Sequence, residues 1–341
     1  MGYRTVVVGT DGSASATEAR DVAIRVARRF DAELVVICVI GGRGLTEQLA
    51  RGVLGHAVDA ATVKKVRATA ELRSGDPHDA LLAACVDHGA DLLVVGNRGL
   101  DAATRFRLGG VPDRVTHEAP CDVLVVDTAG DTGSEGPRYR HAIAGTDGSA
   151  TASAACLRAF DVATMFGAPV SLVFVGDPLV GKIRVEETAR AGADDLQVEP
   201  LILPEGDPAQ AIVDAAERVH ADLVVVGNKG MSRRVFGSVP GRVLHAGVAD
   251  VLVVKTIDRS AADIGPGHGA ILDEGGKRVA VFRDDDGKTH RLNPRCTHMG
   301  CTVGWNDADR TWDCPCHGSR YATDGTVIHG PAQRSLETLD G

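Results

Sequence analysis

The sequence predicts two tandem doubly wound α/β domains with parallel sheets, followed by a small all-β domain. Three observations carry that expectation: an internal repeat that fills most of the chain, short valine-rich runs alternating with helical stretches inside each copy, and a change of character after His268. Gly9-Thr-Asp-Gly-Ser13 recurs as Gly145-Thr-Asp-Gly-Ser149, an offset of 136. Gly75-Asp-Pro77 recurs as Gly206-Asp-Pro208, and Val94-Val-Gly-Asn97 with Gly99 recurs as Val225-Val-Gly-Asn228 with Gly230, both at 131. Val123–Val126 recurs as Val251–Val254 at 128, so the second copy is three residues shorter between its last glycine loop and its last strand.

In the first copy the strands fall at Thr5 to Gly9, Glu33 to Ile40, a weaker one near Leu72, Leu92 to Gly96 and Val123 to Val126. Continuous apolar runs of this length suit strands covered on both faces. Helices are expected over Ser13 to Arg29, Val58 to Ala70 and Pro77 to His88, the last with Asp76 as N-cap and Pro77 at its first position. After His268 come an alternating strand, Val279 to Arg283, a turn at Asp285-Asp-Gly287, a strand at Thr289 to Leu292, and turns at Asn306 to Asp309 and Thr323 to Gly325. The expected boundaries are 1–128 for the first domain, 129–139 for a linker, 140–257 for the second domain, 258–263 for a linker and 264–341 for the third.

A formal charge of −9 gives no footprint for nucleic acid or a polybasic membrane patch. The apolar runs are too short to span a bilayer, and Met1-Gly-Tyr-Arg leads into a strand without the apolar stretch of a signal peptide. A cytoplasmic location is therefore expected.

Eight cysteines are present, and Cys38, Cys85, Cys121 and Cys156 are scattered as small buried hydrophobes usually are. The other four, Cys296, Cys301, Cys314 and Cys316, are interleaved with His298 and His317, which suggests a metal. Cys296-Thr-His298 and Cys314-Pro-Cys-His317 offer one thiolate and one imidazole from each of two loops, as tetrahedral zinc or a [2Fe-2S] cluster with mixed ligands would require. The boxes CTHMGC and CPCHGSRY, with Gly330-Pro-Ala332 after them, resemble the Rieske domains of cytochrome bc complexes and those appended to bacterial flavin oxidoreductases. The resemblance implies that Cys296 and Cys314 ligate one iron and His298 and His317 the other. It also implies that Cys301 and Cys316 form a disulfide between the loops, and that Ser319 and Tyr321 raise the potential by donating hydrogen bonds to sulfur.

The Gly-Thr-Asp-Gly-Ser turn, with Gly96-x-x-Gly99 and Gly109, resembles the universal stress protein family, over residues 1–127 and 140–256. By that resemblance ATP would lie near Thr10, Asp11 and Val39 and on Gly96, Gly99, Gly109 and Gly110 in the first copy. In the second, it would lie near Thr146, Asp147 and Val175 and on Gly227, Gly230, Gly237 and Ser238. Gly110 stands where the family places a hydroxyl, and the second copy's glycine loop is short. His78, His88, His117, His220 and His245 have no metal spacing and read as solvated surface side chains. With no nucleophile triad, P-loop lysine or carboxylate pair, no catalytic residue is assigned. The expectation is an internal pseudo-dimer, with a homodimer of whole chains left open, acting as a one-electron carrier or redox sensor for an unidentified redox partner protein. The alternatives are an electron-transfer component of a multi-chain oxidoreductase or oxygenase, and a stress-response nucleotide-binding protein with a structural cluster.

Overall fold

The structure, a computed structural model, describes residues 2–41, 45–97, 110–128, 138–193, 196–228, 238–255, 261, 264–274, 277–306, 309–314 and 318–339. Two compact units divide the chain, Met1–Thr256 and Ile257–Gly341.

In the first repeat β1 (Thr5–Thr10), α1 (Ala14–Phe30), β2 (Glu33–Ile40), α2 (Glu47–Val63), β3 (Ala68–Ser74), α3 (Pro77–Asp87), β4 (Leu92–Gly96), α4 (Gly110–Glu118) and β5 (Asp122–Val126) follow one another. The second repeats the pattern as β6 (Ala142–Gly145), α5 (Ala150–Phe166), β7 (Val170–Val175), α6 (Pro178–Arg190), β8 (Val198–Leu203), α7 (Pro208–Arg218), β9 (Leu223–Gly227), α8 (Val239–Ala246) and β10 (Asp250–Val254). Helices start where a side-chain oxygen can accept an orphan N–H of the first turn: Ser13, Thr46, Asp76, Ser149, Asp177, Asp207 and Ser238 all do so. Alternate strand residues face opposite layers. Val6, Val8, Leu34 and Val36 pack under α1 and α2, while Val7, Val35, Ile37 and Leu93 pack under α3 and α4.

Helix α2 corrects one expectation. It spans Glu47–Val63 rather than Val58 to Ala70, because Thr46 caps it and Ala50, Leu54, Ala57 and Ala61 make its buried stripe. Lys65 then turns with φ of 60°, and Ala68 to Ala70 join β3, paired with Leu34 to Val36 of β2. Helix α4, absent from the sequence reading, buries Pro112, Val115 and Thr116.

Each repeat has the strand order of a doubly wound sheet, and the two are joined edge to edge as β3-β2-β1-β4-β5-β10-β9-β6-β7-β8. The junction is antiparallel, with Val125 opposite Val251 and Val123 opposite Val253. A reciprocal pair of buried carboxylates locks it. Asp122 accepts from Lys255 N at 2.9 Å, Tyr3 Oη at 3.0 Å and Arg158 Nε at 2.9 Å, and Asp250 accepts from Asp127 N at 2.9 Å and Tyr139 Oη at 3.0 Å. Arg138 grips both oxygens of Asp250 and reaches Glu18 of the first repeat at 2.9 Å. Burial pushes both carboxyls above the ordinary range, against the pull of Arg158 on Asp122 and Arg138 on Asp250.

The second unit contains β11 (Gly269–Glu274), β12 (Lys277–Arg283) and β13 (Thr289–Leu292) in one antiparallel sheet. A second holds β14 (Gly304–Asn306), β15 (Thr311–Asp313), β16 (Arg320–Tyr321) and β17 (Val327–His329). Trp312, Tyr321, Phe282, Leu292 and Leu336 form the core between them, together with Cys296 and Cys314. Among the described residues no helix is long and apolar enough to cross a membrane.

Candidate functional site

Two short loops of the second unit, around 296–301 and 314–319, close in the same way. Cys296 N donates to Cys301 O at 2.7 Å and Gly300 N to Cys296 O at 2.8 Å. Cys314 N donates to Ser319 O at 2.7 Å and Gly318 N to Cys314 O at 3.2 Å. Gly300 and Gly318, each four residues after its cysteine, adopt φ of 77° and 71°, the left-handed conformation that lets so short a loop turn back. The cysteines are buried at the loop bases, whereas His298 and Met299 stand exposed at the tip of the first loop. Cys296 and Cys314 are free thiols. Cys316 and His317 lie outside the described residues.

Tyr321 and Ser319 are side-chain donors beside the Cys296 thiol. Tyr321 Oη lies 3.1 Å from Cys296 Sγ and accepts from Thr297 N at 3.1 Å, while Thr297 Oγ1 donates to Arg334 O at 2.5 Å. Tyr321 Oη also lies 3.3 Å from Thr297 Oγ1, and a thiolate at Cys296 is the stronger acceptor for the phenol's hydrogen. Ser319, wholly buried, accepts from Ala332 N at 3.2 Å, so its hydroxyl hydrogen is likewise available. Gly330 makes that contact feasible, since a Cβ there would sit 2.5 Å from Ser319 Cα. Burial alone would raise the Cys296 thiol, yet hydrogen bonds from Tyr321, the His298 backbone, Cys314 and Ser319 leave it lowered. Burial and Cys296 raise the Tyr321 phenol, which keeps it a donor. A pair of buried thiols surrounded by donors fits a cofactor that takes thiolate ligands and accumulates negative charge on sulfur.

In the first unit the two Gly-Thr-Asp-Gly-Ser segments form matching turns at the carboxyl ends of β1 and β6. Thr10 Oγ1 accepts from Gly12 N and Asp11 Oδ1 from Ser13 N at 3.3 and 2.9 Å; Thr146 and Asp147 do the same with Gly148 and Ser149 at 3.3 and 2.8 Å. Val39 and Val175 are half-buried at the ends of β2 and β7. Gly96 and Gly227 admit the first turns of α1 and α5, since a Cβ there would lie 2.9 Å from Ser15 O and 2.7 Å from Thr151 O. Gly110 opens α4 and Ser238 caps α8, its hydroxyl accepting from Gly241 N at 3.3 Å. Gly99, Gly109, Gly230 and Gly237 lie outside the described residues.

The profile of the universal stress protein family matches residues 2–127 and 138–255. The chain belongs to the universal stress protein family. A Rieske [2Fe-2S] domain profile matches residues 255–340, so this family member also carries a [2Fe-2S] cluster domain with a redox, electron-transferring character. A Bacillus subtilis protein bearing the name of a Rieske 2Fe-2S iron-sulfur protein, YhfW, is 49% identical over 78 residues, 23% of this chain and 15% of that protein. The cytochrome b6-f complex iron-sulfur subunit of Synechococcus sp. (strain JA-3-3Ab) is 57% identical over 54 residues, 15% of this chain and 31% of the subunit. The chain thus spans less than a third of the length of these relatives. For the tandem domains, a universal stress protein from Archaeoglobus fulgidus has the same fold with a TM-score of 0.62 and 21% identity, covering 74% of this chain and 98% of that one.

One histidine of this stress protein departs from expectation. His78 is not on the surface but 1% exposed, with Nδ1 2.8 Å from Asp79 Oδ1 and Nε2 3.3 Å from Glu118 Oε2. It shares the inward face of α3 with Leu81 and Cys85, a spacing already visible in the sequence. Asp76, His78 and Asp79 bring ligand atoms within 4.8 Å, but Arg114 bridges both carboxylates, at 3.2 and 3.5 Å, and makes the group an ion-pair cluster. Thr297 and Ala332, which orient Tyr321 and Ser319, escaped the sequence reading because each acts through its backbone N–H.

Proposed function

We propose that this stress protein is a one-electron carrier or redox sensor whose cluster is held by Cys296, Cys314, His298 and His317, with a Cys301–Cys316 disulfide stapling the two loops. The contact between Tyr321 Oη and Cys296 Sγ carries the reading, because a phenol proton directed at a thiolate stabilises the added electron and raises the potential. A redox-inert zinc site would gain little from it. The donors favour the upper half of the Rieske range of roughly −150 to +300 mV.

The stress domains supply the second input. Both Thr-Asp turns border the crevice outside the carboxyl ends of the strands, where β1 lies between β2 and β4 and β6 between β7 and β9, which is where doubly wound sheets take ligands. ATP in the first repeat, with the cluster's redox state, would then be read by a redox partner protein. Titration with ATP, followed by calorimetry and by the cluster's midpoint potential, tests the coupling. Linkage requires that a nucleotide-dependent potential be matched by a redox-dependent ATP affinity. Binding that leaves the potential unchanged would reduce the chain to a carrier with an independent nucleotide site, and no binding would remove the nucleotide arm.

A further inference from the structure

We propose that Trp305, Trp312 and Tyr321 form an electron path through which one-electron oxidants at the surface are quenched at the expense of the reduced cluster. This radical-scavenging activity goes beyond electron carriage and rests on the Rieske reading above.

The whole sequence has two tryptophans and three tyrosines, and both tryptophans and one tyrosine are in this small domain, on adjacent strands. Trp305 faces Trp312 across β14 and β15, with ring centroids 4.9 Å apart at 63°. Trp312 faces Tyr321 across β15 and β16, and Tyr321 Oη touches Cys296 Sγ at 3.1 Å. Directly opposed residues of antiparallel strands share a face of the sheet, so Trp305, Trp312 and Tyr321 follow one another along one face, and Tyr321 ends on a cluster ligand. Trp305, half-buried, is the outer end. Phe282 holds it at 5.2 Å, and Gly269 lets its indole lie so close to the β11 backbone that a Cβ there would be 2.6 Å from the ring.

Trp312 is fully buried, and its Nε1 has no hydrogen-bond partner among the described residues. Packing alone would favour phenylalanine or leucine there, because an unsatisfied buried donor is costly. An electron path gives the orphan donor a purpose. A tryptophan radical cation loses its Nε1 proton when an acceptor is at hand; without one, the hole moves on with no proton to recover.

The chemistry balances. A peroxyl radical takes one electron from Trp305 and one proton from water, leaving hydroxide, and departs as a hydroperoxide. Trp305 would be refilled from Trp312, and Trp312 through Tyr321 and Cys296 Sγ, with the electron that a reduced [2Fe-2S] cluster held by Cys296 would supply and a redox partner would replace. The two indoles have similar potentials, and an indole radical is a far stronger oxidant than an oxidised Rieske cluster, so the net transfer from cluster to Trp305 runs downhill.

Pulse radiolysis with azide radicals tests the path. In reduced holoprotein the tryptophan radical absorption is expected to decay at least an order of magnitude faster than in oxidised or cluster-free protein, in step with the return of the oxidised cluster's visible absorption. Trp312→Phe should remove the acceleration while leaving the EPR signal and midpoint potential unchanged. Trp305→Phe, at the outer end, should lower the yield of radical and serves if the core variant does not fold. Equal decay in reduced and oxidised protein that shows a Rieske EPR signal would overturn the path and leave electron carriage standing; absence of that signal would remove both. Retained acceleration in folded Trp312→Phe would also overturn it.

Discussion

Asp250→Ala is expected to destabilise the paired stress domains by about 3–5 kcal/mol, enough to remove a large part of a domain's stability. Asp250 is 2% exposed and is the common acceptor for Arg138, Tyr139 and the backbone of Asp127. Its loss would leave a buried phenol and an N–H without their acceptor and Arg138 with Glu18 alone, and the N–H belongs to the other repeat. Asp250→Asn should cost less, because it still accepts hydrogen bonds and burial already disfavours the charge, raising the carboxyl above the ordinary range. The sign follows for pH. A folded-state value above the unfolded one contributes stability that is present below the unfolded value and lost as pH rises through the folded one, so this carboxyl does not drive acid unfolding. Urea titration by circular dichroism checks both variants, and equal midpoints for Asp250→Ala and the parent would refute the lock.

Tyr321→Phe is expected to lower the midpoint potential while the cluster still assembles. A hydrogen bond to a charged group contributes about 1.5–3 kcal/mol, and for a one-electron couple about 1.4 kcal/mol corresponds to about 59 mV. Only the part that strengthens on reduction counts, so the fall should be on the order of 50 mV. Ser319→Ala should act in the same direction. The two are close enough to couple, since both reach Cys296, so the double variant need not show the sum. A potentiometric titration followed by EPR measures each shift. An unchanged potential in Tyr321→Phe would mean that the phenol proton is not directed at the sulfur.

Much of this architecture was legible because its signals are short-range and repeated. Valine-rich runs set β1, β2, β4 and β5, and Asp76-Pro77 set the start of α3. The cysteine and histidine spacing alone pointed to the two loops. What escaped depends on contacts between segments distant in the chain. The middle helix was displaced because its weak stripe of alanines competed with β3, whose register is set by pairing with β2. By contrast, His78 lies on the buried face of α3, where its spacing from Leu81 and Cys85, a local signal, outweighs its polarity. The Asp122 and Asp250 lock was adjacent to a repeat already visible, since both precede Val-Leu-Val-Val. Its meaning emerged only when β5 and β10 paired antiparallel. The second copy's three-residue deletion falls in the stretch between its last glycine loop and β10, and the side-by-side sheet accommodates it without loss of that pairing.

EPR of anaerobically purified protein, reduced first with ascorbate and then with dithionite, addresses the central claim most directly. The account predicts a rhombic signal of a mixed-ligand [2Fe-2S] centre that is already present with ascorbate, as the Tyr321 and Ser319 donors require. A signal that needs dithionite would contradict the high-potential assignment, and silence under both reductants, with zinc in place of iron, would contradict the cluster itself.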